Sequence, residues 1–92
     1  MDATIETISK TLGIKKSELI ENGMQAYLKN EKRRLNSEII DIFSKYDVDS
    51  LEEFDEKINK RKLGETETFD DFTRLDHLLD RRDKIDSLLR EI

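Results

Sequence analysis

Cysteine, proline and tryptophan are absent from this 92-residue chain, which has three glycines and a single histidine. The missing cysteine excludes a disulfide framework and any thiolate chemistry. The missing proline, with so few glycines, leaves almost nothing to interrupt a helix. No apolar run approaches the about 20 residues of a membrane span, and no signal peptide opens the chain, so a soluble cytoplasmic protein is expected. A nucleophile–base pair, a glycine-rich phosphate loop and a pocketed acid/base dyad are also lacking. An enzyme is therefore not expected, and no cofactor is implied.

What the chain has is charge: 42% charged residues against 35% hydrophobic ones. That balance suits long exposed helices that finish burying their apolar stripes by self-association. The net charge of −5 is unevenly placed. Residues 1–48 carry eight basic and eight acidic side chains, whereas 49–92 carry nine and fourteen, so the whole imbalance lies in the second half. An acidic half repels nucleic acid and complements a basic protein partner. A solvated surface with no partner accounts for the charge equally well.

The apolar spacing predicts four helices. Ile5, Ile8 and Leu12 share one face of a short helix, and Gly13 with Ile14 reads as its Schellman stop. Ser17 is the expected N-cap of a second helix. Leu19, Ile20, Met24, Tyr27, Leu28, Leu35, Ile39, Ile42, Phe43 and Tyr46 keep helical spacing to about residue 47. The polar stretch 29–34 contains no breaker, so one continuous helix is predicted, with Asn30 or Asn36 as the place for any kink. Leu28, Leu35 and Ile42 repeat by sevens, as do Leu78, Ile85 and Ile92, which suits a coiled-coil seam. Ser50 with Glu53 forms a capping box that opens a third helix to about residue 61. Residues 61–68 read as a linker, and Thr68 with Asp71 as a second capping box opening a terminal helix from about residue 69.

Over residues 4–34, the order Leu12-Gly13, then Ser17-Glu18-Leu19-Ile20, then Gly23, Tyr27 and Leu28, resembles the helix A–turn–helix B part of the ribbon-helix-helix family of dimeric repressors and antitoxins. The resemblance implies a dimer interface at Leu19, Ile20, Met24, Tyr27 and Leu28. It also implies DNA-phosphate contact by Lys15, Lys16 and Ser17 at a helix start. Met1, Asp2 and Ala3 are too little chain for the paired strand through which that family reads bases, so base-specific reading is not expected unless the natural start lies upstream. A helix-turn-helix with Gly13 in the turn fits the same residues, although Glu18 and Glu21 make its recognition face acidic.

Other clusters have plain readings beside their functional ones. Lys29, Lys32, Arg33 and Arg34 form either a phosphate patch or, with Glu31 and Glu38, intrahelical pairs. Phe69-Asp70-Asp71-Phe72 is either an anchor for a partner groove or the start of a helix packed within the chain. His77, among Asp76, Asp80 and Asp83, lacks a second strong ligand, so no metal site is expected.

These readings predict an all-α, elongated helical dimer with a short helix, a long helix and a C-terminal helical arm. Residues 1–48 would dimerise, and residues 49–92 would form an acidic arm with its linker at 61–68. By the family resemblance, the arm belongs to an antitoxin-like protein that covers a basic partner such as a toxin. Phe54, Phe69, Phe72, Leu75, Leu79 and Arg82 are the expected anchors. The alternatives are a self-contained structural helical bundle or oligomer and a DNA-binding transcriptional regulator.

Overall fold

The computed structural model describes residues 2–61 and 66–92, with side chains at 4–60 and 67–92. They form α1 (Asp2–Leu12), α2 (Lys16–Tyr46), α3 (Leu51–Arg61) and α4 (Thr66–Glu91). The all-α, elongated architecture of a short helix, a long helix and a C-terminal helical arm is as predicted.

The helix stops follow from local chemistry. Gly13 takes φ +66°, and the Ile14 N–H donates to the Ser9 carbonyl at 3.0 Å, the 6→1 bond of a Schellman stop. The Ser9 hydroxyl donates to the Ile14 carbonyl and ties the corner from the other side. At the far end of α2 the same bond recurs without glycine. Asp47 sits at φ 53°, and the Val48 N–H donates to the Phe43 carbonyl at 3.0 Å. The Lys57 ammonium, from α3, donates to the carbonyls of Tyr46 and Asp47 at 3.0 and 2.8 Å. It supplies positive charge at the negative end of the helix dipole. Ser50 caps α3 as predicted: its hydroxyl accepts from the Glu53 N–H at 3.1 Å, while Glu53 reaches back to the Asp49 N–H at 3.0 Å.

Two predicted starts are corrected. Lys15, not Ser17, is the N-cap of α2, and its side chain makes no capping bond. Its extended backbone (φ −68°, ψ 144°) already precedes a helical Lys16, so Ser17 lies inside the first turn. At the other end, α4 begins at Thr66, so Thr68 is helical rather than a cap. Thr68 is buried, with its hydroxyl against the Tyr46 phenol. Residues 62–65 of the expected linker lie outside the described residues.

The long helix is continuous through Asn30 and Asn36, and its 31 residues span about 46 Å at 1.5 Å per residue. α4 returns antiparallel along it, as the ladder of contacts shows. Lys45 bonds Glu67 and Asp71 at 2.6 and 2.8 Å, Arg74 reaches Glu38, and Lys32 meets Asp86 at 2.6 Å. Ile39, Ile42, Val48, Phe54, Ile58 and Leu75 form the core, with Phe43, Tyr46, Leu51, Phe72, Leu78 and Leu79 packed on it. Leu35 and Ile85 extend the buried line between the two long helices. The molecule measures 61 × 23 × 17 Å with a radius of gyration of 19.2 Å. A compact chain of this length would have a radius near about 12 Å. The chain is therefore elongated, and its core cluster lies where α3 packs with the end of α2 and the start of α4.

Three expectations are overturned. The ribbon-helix-helix resemblance fails because the described residues contain no strand, and the segment read as a short helix B is the first third of a 31-residue helix. The antitoxin reading rested on that resemblance and falls with it. The coiled-coil seam also fails. Leu35, Ile42 and Ile85 are buried within the chain, and rows of seven served there look the same in sequence as rows awaiting a partner helix.

Candidate functional site

No described residue from 4 to 34 is buried, although this stretch carries nine large apolar side chains. Part of that surface is shaped. Ile20, Gly23, Met24, Tyr27 and Leu28 from α2, with Leu88 and Ile92 from the end of the chain, line a groove of about 530 Å³ at the tip of the molecule. No charged residue lines it. Tyr27 is 61% exposed, Ile20 48%, Met24 46%, Leu88 46% and Ile92 44%.

Of the residues expected at a dimer interface, Ile20, Met24, Tyr27 and Leu28 line this groove, while Leu19 is half-buried to one side. Leu88 and Ile92 were not foreseen there, because they were read as part of an arm. A terminal helix of 26 residues folding back antiparallel must reach the first half of α2, and that length was the available signal.

The expected partner anchors do not form a surface in this fold. Phe54 and Leu75 are fully buried, and Phe72 and Leu79 pack on the same core. Phe54 lies between Tyr46 (ring centroids 4.4 Å, stacked) and Phe72 (5.5 Å, edge-on). Arg82 donates to the Asn36 side chain at 3.4 Å, and only Phe69 stands out, at 53% exposure. The expected phosphate contacts are dispersed too: Lys16 pairs with Glu6 at 2.8 Å, and Ser17 is helical.

Two members of the basic cluster, Lys32 and Arg34, are held by neighbouring carboxylates, while Arg33 reaches the Asn30 side chain. Arg34 bonds Glu31 and Glu38 at 2.6 and 2.7 Å, Arg81 also reaches Glu31, and Lys32 holds Asp86. His77 lines a shallow depression with Asp70, Arg74 and Arg81. Among the described residues no group of His, Cys, Asp or Glu is arranged to hold a metal ion, and no helix is long and apolar enough to cross a membrane.

Charge chemistry is concentrated where α4 starts. Asp71 accepts from the Lys45 ammonium at 2.8 Å and from the Tyr46 hydroxyl at 2.5 Å. Those two bonds, Lys45 first, hold its carboxyl below the ordinary range, and Tyr46 is pushed up by burial and by Asp71. Arg34 and Arg81 likewise depress Glu31, and Lys32 depresses Asp86. A carboxyl depressed by folding contributes stability that is complete above its unfolded value and lost as pH falls through the folded one. The melting temperature should therefore drop below about pH 4. Asp71→Asn should flatten part of that drop, as read by circular dichroism across a pH series.

The fold and groove define a small, elongated, all-helical protein with an uncovered apolar tip. The chain belongs to the family described as the Uncharacterized protein MJ0235 family, whose model matches residues 1–92. It is 34% identical over 74 residues to the Uncharacterized protein MJ0235 of Methanocaldococcus jannaschii, a match covering 80% of this chain and 90% of that one. No solved structure matches it.

Proposed function

We propose that this protein is a structural helical bundle that works by association, joining copies of itself through the groove at its tip. The observation that carries this reading is the placement of the apolar surface. The end holding α3 and the start of α4 has a sealed core, whereas the end holding α1 and the start of α2 has none. A helix of 11 residues such as α1 is marginal alone in water and gains its stability from packing.

A second copy brings what this end lacks. With about 200 Å² for each large side chain when fully open, the exposed parts of Ile20, Met24, Tyr27, Leu88 and Ile92 come to roughly 500 Å² per copy. Two copies together approach the about 1,000 Å² at which a specific interface begins. A lining without charge also suits an identical, uncharged lining, since neither copy has to desolvate an ion.

Light scattering over a series from micromolar to millimolar protein tests this. The expected result is a rise from 10.9 kDa to twice that mass. A mass fixed at 10.9 kDa throughout would overturn the reading.

A further inference from the structure

Gly23 lies eighth in α2, exposed and within an unbroken helix. Glycine there costs the helix about 1 kcal/mol relative to alanine. Nothing among the described residues asks for it. Among the described glycines only Gly13 has a positive φ, and a Cβ built on Gly23 meets no heavy atom within 4 Å. Yet Gly23 sits in the groove, flanked by Ile20, Met24 and Tyr27. A glycine that weakens its own helix, at a place where the described residues leave room for a side chain, fits the close approach of a second backbone.

We propose that α2 crosses α2 of a second copy antiparallel at Gly23, which deepens the self-association reading above and rests on it. A two-fold axis beside Gly23 places Ile20 of one copy opposite Tyr27 of the other, because the two positions lie almost equally far on either side. The Tyr27 ring then enters the partner's groove against Met24, Leu88 and Ile92. The charge distribution sets the direction. Residues 49–80 carry eleven acidic and five basic side chains, whereas residues 81–92, which reach the groove, carry three and four, so antiparallel helices carry the two acidic stretches to opposite ends of the dimer and parallel ones bring them side by side.

The chain has no cysteine, so one introduced thiol reports on one position. In the full-length protein, Gly23→Cys should form a disulfide-linked dimer under mild oxidation, since a close crossing brings the two Cα atoms within disulfide reach. Ser37→Cys, exposed on α2 outside the groove, should not. Gly23→Leu should raise the dissociation constant about tenfold or more while keeping the helical circular dichroism of the parent. If the parent is dimeric but Gly23→Cys fails to cross-link and Gly23→Leu associates normally, the crossing is overturned and the association reading stands. If the parent stays monomeric to about 1 mM, both fall.

Discussion

Phe54→Ala is expected to lower the unfolding free energy by about 3–5 kcal/mol, the cost of removing a fully buried aromatic and leaving its cavity. Phe54 has no exposed surface and is the meeting point of three elements: α2 through Tyr46, its own α3, and α4 through Phe72. A chain of this length has about 5–14 kcal/mol of stability in total. With its core confined to one end, this protein belongs in the lower part of that range. The variant should therefore show a broad, early urea transition in place of a cooperative one. Phe69→Ala is the matched comparison. That ring is 53% exposed, and its loss should shift the free energy by no more than about 0.5 kcal/mol. Equal shifts for the two variants would mean that the three-element junction at Phe54 does not organise the fold.

The second large effect is expected at the tip. Met24→Glu places a carboxylate in a groove that otherwise holds no charge. In the monomer the side chain stays in water, because Met24 is 46% exposed, so the melting temperature at low protein concentration should barely move. In the proposed dimer the same carboxylate is desolvated with no cation beside it. An uncompensated buried charge costs about 3–5 kcal/mol, a loss of affinity of roughly a hundredfold to a few thousandfold. Ile40→Glu separates this from a general effect of added charge. Ile40 is 60% exposed on α2 but lies outside the groove, so its substitution should leave association unchanged. Sedimentation velocity across a concentration series reads both variants. Equal loss, or none, in the two would remove the groove from the account.

How much of this was legible in the sequence depended on the range of the interaction. The stop at Gly13-Ile14 and the box at Ser50-Glu53 were readable because each is completed within six residues. The continuity of α2 was readable because no proline stands between residues 16 and 46, its one glycine, Gly23, is isolated, and the polar stretch 29–34 holds no breaker. The start of α2 was misplaced by one-turn logic: Ser17 has the better capping side chain, but the backbone turns helical before it. Which apolar rows face inward could not be read locally. Leu35, Ile39 and Ile42 have the same spacing as Ile20, Met24 and Tyr27, and only the antiparallel return of α4 separates the buried row from the open one. The resemblance over residues 4–34 misled for a similar reason. A turn followed by an amphipathic helix is a short, mostly apolar pattern that a strandless fold satisfies equally well.

The unbroken α2 makes the molecule sensitive to length as well as to composition. Each residue inserted or removed between the tip and the core turns one face against the other by about 100°. A single insertion near Asn30 would swing Ile20, Met24 and Tyr27 away from Leu88 and Ile92 without touching any residue of either site. A change of seven residues, nearly two full turns, would restore the phase only if α4 lengthened by the same amount. The two helices thus share one reading frame in space, and drift in length along either is tolerated only in paired, whole-turn steps.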